Sequence, residues 1–482
     1  MKKILFSFLI VLSINAQANT IHIQLNEAIE LGISRSVDAV VAQSQYTSAY
    51  WEYRTFRTEL LPEVVFNTTL PHFSRSHNQL QNPDGSWSYV SSDFSLINTS
   101  LSINQNIPLT GARVSVESSV ERLQQRGVNA STHFMAVPTR VSLEQPLFGF
   151  NRVRWLQRIE PIRYREARKR LISSREEIAL IVIEYYFNLL EGRINLDMAQ
   201  QTRDNAERLY TVAEARHAMG QLSQVDLLQM RASKLRAESA LTNAQASFNA
   251  RMFQLRSFLG FGEDVVLEPV VPQFLTDDIP LLHYPEVLAM ALENNAFTQN
   301  IQKRMLEASR NVSRARADRW NMRLFASFGM SGQESRFRDV MQRTNWRDDQ
   351  IATVGISIPI LDWGRGKGRV RVAEANREVM EARIEKEQMD FNQQIFLTVQ
   401  HFNNQPEQLR RARATDAIAQ ERYEISVEAF ILGHLDILNL NDAQTARDVA
   451  RRDYINQMFL LWSYYYQIRS LTLFDFLGNV AL

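Results

Sequence analysis

Two hydrophobic rhythms run along this chain. Several segments alternate apolar and polar residues with period two, as a strand with one apolar and one polar face must. Val64, Phe66 and Leu70 oppose Glu63, Asn67 and Thr69, and Leu101, Ile103 and Ile107 oppose Ser100, Ser102 and Asn104. Val114, Val116 and Val120 alternate with Ser115, Glu117 and Ser119, and Val141, Leu143 and Leu147 with Arg140, Ser142 and Glu144. Later, Met322, Leu324, Ala326 and Phe328 oppose Arg323 and Ser327, while Val354, Ile356 and Ile358 oppose Gly355 and Ser357. The pattern predicts about six strands of roughly ten residues. Long polar connections are expected over Pro71–Ser92, with a turn at Asn82-Pro83-Asp84-Gly85, and over Gly332–Arg347; Pro108–Gly111 reads as a tight turn.

The second rhythm is helical. Between Arg152 and Ala218 only Pro161 and Gly192 interrupt the run, so about 65 residues at 1.5 Å each predict a helix of roughly 100 Å. A second such helix spans about Arg365 to Leu432, and Pro406 predicts a kink or break in it. Heptad-spaced Leu241, Phe248 and Leu255, with Ala244 and Phe258 alongside, predict a coiled-coil-like seam in the returning helix.

These elements occur twice. Val141–Gly149 aligns with Val354–Asp362, which sets Pro146 against Pro359, 213 residues on; Met219–Leu222 aligns with Leu432–Leu435 at the same offset of 213. Leu25–Leu31 aligns with Tyr284–Met290 at an offset of 259, so the first copy carries 46 extra residues before its Pro. They lie among strand-like segments and read as an added hairpin near Ser95–Glu121. The expected organisation is a signal peptide (1–18), a first repeat (19–260), an equatorial linker region (261–283) and a second repeat (284–482).

Targeting changes the meaning of the strands. Lys2 and Lys3 precede an apolar run, Ile4–Ile14, and Ala16-Gln17-Ala18 supplies a small-residue cleavage pattern, so a mature chain from Asn19 is expected. The run falls short of the roughly 20 apolar residues that span a bilayer. Ile178–Leu190 is broken by Glu184 and Met458–Tyr466 is too short, so no helical span is predicted. Backbone groups in lipid must be paired internally, and strands achieve that only in a closed barrel. Six strands are too few to close alone, which predicts a barrel shared between subunits. A soluble sandwich would also alternate, and a soluble coiled-coil scaffold would also have long helices; export without an inner-membrane anchor favours the barrel.

Composition narrows the chemistry. Net charge is +1, or −1 without Lys2 and Lys3 (52 basic against 53 acidic residues), which gives no reason to expect nucleic-acid binding. Cysteine is absent, which excludes disulfides, thiolate metal sites, Cys nucleophiles and a lipid-bearing N-terminal Cys. The eight His lack metal-ligand spacing, and His434 reads as an exposed turn residue. Gly364–Arg369 lacks the spacing and the Ser/Thr of a phosphate loop, and no nucleophile-and-base constellation is visible. The expectation is a non-enzyme with no cofactor and no metal site. Basic residues crowd the starts of both long helices (Arg152, Arg154, Arg158, Arg163, Arg165; Arg365, Lys367, Arg369, Arg371). They could face anionic headgroups, or form a solvated face paired with Glu160 and Glu166.

The duplicated strand-to-helix segments, Gln145-Pro146-Leu147-Phe148 and Ile358-Pro359-Ile360-Leu361-Asp362-Trp363-Gly364-Arg365, resemble the signature of the TolC family, over essentially the mature chain. The resemblance implies an α+β fold: a trimeric transmembrane β-barrel continuous with a long α-helical periplasmic barrel, built from two structural repeats per chain. Family members usually contribute four strands; the added hairpin departs from that. It further implies an outer-membrane channel of a tripartite efflux pump or type I secretion system. Substrates would pass passively from a periplasmic adaptor (membrane fusion) protein and an inner-membrane pump, of RND or ABC type, to the exterior. The alternative is a non-conducting coiled-coil envelope scaffold. Met219, Gly220, Gln221, Leu432, Gly433 and His434 correspond to hairpin tips that dock the adaptor. Asp226, Asn439 and Asp442 match acidic and hydrogen-bonding positions of the periplasmic gate, where Phe430 and Leu435 replace the family's Tyr and Arg.

Overall fold

The computed structural model describes residues 19–127, 130–147, 149–272, 279–319, 321–342, 346–357 and 361–482. The expected signal peptide, Phe148 and Pro359 lie outside the described residues. In chain order the elements are β1 (Asn19–Ile23), α1 (Leu25–Arg35), α2 (Val37–Thr58), β2 (Glu63–Gln81), β3 (Trp87–Ile107), β4 (Ala112–Arg126), β5 (Ser131–Leu147), α3 (Arg152–Ala218) and α4 (Gln224–Phe258). Then follow β6 (Val265–Pro269), α5 (Tyr284–Asn294), α6 (Ala296–Ala317), β7 (Asn321–Glu334), α7 (Phe337–Met341), β8 (Arg347–Ser357), α8 (Arg365–Leu432), α9 (Ile437–Thr472), β9 (Phe474–Asp475) and β10 (Val480–Ala481). Two shorter helices, strands, a very long helix and a returning helix therefore appear twice, with four sheet strands in the first pass and two in the second.

One compact unit comprises the segment ending at Tyr46 together with Ala167–Thr298 and Gln388–Leu482. Its core joins α3, α4, α8 and α9 through Ile183, Leu189, Leu255, Ile395 and Leu461, all fully buried, and takes in Ile29 of α1 and Ala291 of α5. The heptad positions behave as their spacing predicts: Phe248 and Leu255 are buried, and Leu241, Ala244 and Phe258 pack against them. Gly32 lets α1 approach α3 closely, because a Cβ there would lie 2.4 Å from Val182 Cγ2. Stretch 261–283 contributes β6, which pairs in parallel with β1 and sets Ile21 against Leu267. The buried Tyr186 hydroxyl lies 2.9 Å from Ile23 O and 2.6 Å from Val270 O, and accepts from Val270 N at 3.1 Å. Pro406 does not break α8, which runs unbroken from Arg365 to Leu432. Phe402 and Leu409 are buried on either side, and Gln405 Nε2 donates to Gln457 O at 2.9 Å and to its Oε1 at 2.8 Å. This packing holds the helix across a proline whose cost in isolation is about 3 kcal/mol.

The other unit comprises Thr47–Glu166 and Gln299–Glu387. It holds an antiparallel sheet of order β2-β3-β4-β5-β7-β8. The strands run 11 to 21 residues, longer than the alternation alone predicts. Pro71 does not open a long loop: β2 and β3 continue as a hairpin to a turn at 82–86, and Pro71 falls in a register shift between Thr69 and His72. Pro138 falls in another, between Ala136 and Thr139. A residue without an N–H cannot serve the ladder, so the chain bulges there and pairing resumes. In the same unit Tyr53 of α2 stacks on Tyr164 of α3 with centroids 5.1 Å apart. Arg163 bridges Glu160 (3.1 Å) and Glu307 (3.0 Å). Glu166 pairs with Lys303 of α6 at 2.6 Å rather than with an arginine of its own helix.

Candidate functional site: the sheet faces and the hairpin turns

Inter-strand register turns the sequence alternation into two surfaces. Val64 lies opposite Ile103, Ile103 opposite Val116, Val116 opposite Val141, and Val141 opposite Phe328, an apolar row across five strands. All five are exposed, from 37% at Val116 to 63% at Val64. One residue along, the row reads Glu63, Asn104, Ser115, Ser142 and Ser327, and Ser115 Oγ donates to Asn104 Oδ1 at 2.7 Å. Charged residues of opposite sign also meet on this face: Glu117 lies opposite Arg140, and Arg113 opposite Glu144. A contiguous apolar face open to its surroundings is the exception on a soluble sheet and the rule on a barrel wall in lipid. Among the described residues β2 and β8 do not pair, so the sheet keeps two edges whose backbone groups lack an inter-strand partner.

At the strand-to-helix passages the candidate residues fix geometry. Gln145 Nε2 donates to Thr110 O (3.1 Å) and Pro146 O (2.8 Å), tying the end of β5 to the β3–β4 turn. Pro146 lies opposite Arg323 near the end of β5. The Asp362 carboxylate accepts from Gly364 N (2.9 Å) and Gly366 N (2.7 Å) and opens α8. Those two amides hold its carboxyl below the usual range.

Both hairpin turns place glycine in the left-handed region, Gly220 at φ +72° and Gly433 at φ +86°, where a residue with a Cβ is strained. After each helix the chain reverses through backbone bonds, Gln221 N to Arg216 O (2.9 Å) and His434 N to Ala429 O (2.9 Å). Met219, Gly220 and Gln221 are exposed in one turn, and Leu432, Gly433 and His434 in the other. Just beyond, Asp226 accepts from Ser223 Oγ (2.6 Å) while its N–H donates back to that hydroxyl (3.1 Å), which caps α4. Asn439 N donates to Asp436 Oδ1 (2.8 Å), the cap of α9, and Asp442 pairs with Arg422 of α8 at 2.5 Å. Phe430 is buried with Leu209, Met230, Tyr423 and Ile437, and Leu435 packs at the edge of that cluster.

Three contributors escaped the sequence reading. Asp436 caps α9 from a position that reads as turn composition. Arg216 donates to Phe430 O (3.5 Å) and so links α3 to the second turn. Arg447, 2% exposed, lies over the Tyr423 ring at 4.1 Å and donates to Thr202 Oγ1 (3.2 Å), while Asn205 Nδ2 donates to the Tyr423 hydroxyl (3.0 Å). A lone arginine in a polar helix carries no local sign of such burial. Among the described residues no group of His, Asp and Glu is placed to hold a metal ion, and no helix is long and apolar enough to cross a membrane.

A chain that twice runs from sheet strands into a very long helix and its return, with an exposed apolar row across its strands, has the pattern expected of an outer-membrane channel protein. The sequence matches the outer membrane efflux protein family over residues 125–261 and 287–478. The chain belongs to that family, whose members are channels rather than enzymes, and its place is the outer membrane of a Gram-negative cell. It is similar to the cobalt-zinc-cadmium resistance protein CzcC of Cupriavidus metallidurans, 27% identical over 208 residues. That match covers 42% of this chain and under half, 45%, of the relative. Its fold is similar to that of the outer-membrane channel OprN (TM-score 0.66, 16% identity, 95% of this chain and 90% of the other covered). It is also similar to that of the outer membrane protein VceC of Vibrio cholerae (TM-score 0.64, 14% identity, 93% and 95% covered). The α+β fold of two repeats implied by the TolC resemblance is the fold of this chain.

Proposed function

We propose that three copies of the chain pair edge to edge, β2 of one with β8 of the next, and close a single barrel in the outer membrane that conducts solutes passively. The observation that carries this reading is the exposed apolar row from Val64 to Phe328 on a sheet whose two edges are open. Three sheets of six give about eighteen strands, within the range of closed outer-membrane barrels. The polar row would then line the duct.

At the hairpin ends, exposed Met219 and Leu432 offer apolar contact beside Gln221 and His434, which supports docking of a periplasmic adaptor protein that couples the channel to an inner-membrane pump. Asp226, Phe430, Leu435, Asn439 and Asp442 would form the constriction. Closure there would rest on helix caps, the Arg422–Asp442 pair and packing of Phe430, since the Tyr and Arg of the family's lock are replaced. The name of the relative CzcC makes divalent metal ions one cargo class to test; small organic solutes and unfolded polypeptide are the others. The direct test is conductance of the purified protein in planar bilayers, with mass measured in detergent. Discrete channels from a three-chain species support the reading. A non-conducting species of the same mass supports the scaffold alternative.

A further inference from the structure

The two long helices begin 213 residues apart, at Arg152 and Arg365, but their first turns are satisfied differently. Neither has an acidic residue in its first turn, where the helix dipole favours negative charge. For α8 the charge comes from Asp362, just before the helix. The repeat alignment sets Gly149 at the equivalent place before α3, and Gly149 carries no side chain to do this. The cap of α3 is neutral: Asn151 Oδ1 accepts from Arg154 N (2.9 Å) while its Nδ2 donates to Pro108 O (2.8 Å).

Gly149 instead borders a cleft of about 480 Å³ lined by Arg152, Arg310, Arg314 and Arg323 against a single carboxylate, Asp318, with Phe150 and Leu156 in its apolar wall. Arg310 and Arg314 are one turn apart on α6, a spacing at which like charges repel. Two of these guanidiniums are engaged loosely by acidic groups: Arg152 lies 3.5 Å from Glu59, and Arg314 lies 3.7 Å from Asp318, which itself belongs to the cleft wall. Arg310 meets the Asn311 amide oxygen at 3.4 Å. On the same helix, Arg316 meets Glu374 at 2.7 Å, the distance of a tight charged hydrogen bond.

We propose that this cleft binds a phosphate-class oxyanion, which gives the start of α3 the negative charge that Asp362 gives α8. Guanidinium forks match phosphate oxygens in pairs, and a helix N-terminus adds backbone N–H groups and its dipole. The same chemistry is offered by the headgroup of an anionic phospholipid and by a free phosphate-bearing solute. The site stands on the junction's own residues and does not depend on conduction.

The test uses the purified full-length protein, delipidated in neutral detergent. Phosphatidylglycerol and phosphatidylcholine are compared by native mass spectrometry, and inorganic phosphate by calorimetry. The double variant R310Q/R314Q should bind the anionic probe roughly tenfold more weakly. R365Q/K367Q, at the start of the helix already supplied by Asp362, should bind it as the wild type does. Asn151→Asp, which keeps an acceptor for Arg154 N and adds a carboxylate, should also weaken binding; it decides alone if the arginine variant does not fold. Retention of phosphatidylglycerol over phosphatidylcholine, without affinity for inorganic phosphate, assigns the site to a headgroup. Saturable phosphate binding with no preference between the lipids assigns it to a solute. The proposal is overturned if no probe binds, if both arginine pairs lose binding equally, or if Asn151→Asp leaves it unchanged. Absent conductance with binding intact would count against the channel reading and not against this site.

Discussion

The helical unit and the sheet use the same apolar residue types in opposite ways. In the helical unit Ile183, Leu189, Leu255, Ile395 and Leu461 are removed from solvent within one chain, so that region accounts for its own cohesion. In the sheet Val64, Ile103, Val116, Val141 and Phe328 line up across strands and stay exposed. Water gives no reason to gather them. The difference is what the proposed channel requires: its apolar row would meet a second solvent, and its polar row, one residue out of phase, a wet interior.

That contrast can be attacked from both sides. The largest effect is expected in the helical core, where Leu255→Ala should cost about 2–5 kcal/mol, read as a lowered urea midpoint of the purified protein. On the sheet, Val116→Arg should cost about 2–4 kcal/mol if the row lies at mid-membrane depth and should reduce the protein recovered in outer-membrane fractions. Its neighbour Ser115→Asn should leave recovery unchanged; equal recovery of the two variants would break the contrast. A smaller effect, about 1 kcal/mol, is expected for Asp436→Ala, which removes the cap of α9, and thermal unfolding should report it.

The finest test is pH. Burial raises the Glu176 carboxyl above its ordinary value, against the pull of Arg469, whose guanidinium lies 2.9 Å away. The native state then keeps a proton that the unfolded chain has already released, so this group's contribution is full below the ordinary carboxyl range and is lost as pH rises through the raised pKa. Glu176→Gln should flatten the dependence of the urea midpoint on pH in that mildly acid window, and an unchanged slope would refute the assignment.

Much of this was legible in the sequence, for local reasons. Period-two runs gave the strands, a proline-poor span gave α3, and Gly220 and Gly433 marked the turns because only glycine accepts their φ cheaply. The alignment of Gly149 with Asp362 was already visible, although its meaning needed the cleft beside it. What escaped was tertiary. The parallel pairing of β1 with β6 joins residues far apart in sequence with no local signal. Pro71 read as the start of a long connection until the register showed a bulge, and α8 passes Pro406 because its neighbours hold it. Phe430, expected at a gate by position, is buried in a packed cluster that no periodicity announced.

The central claim is that one face of the sheet meets lipid and the other meets water. The chain has no cysteine, so single cysteines at Val141 and Ser142 can carry a fluorophore without background. In reconstituted protein, quenching by brominated lipid should be strong at 141 and weak at 142, with the order reversed for a water-soluble quencher. Equal quenching at both positions by the water-soluble reagent would contradict the account.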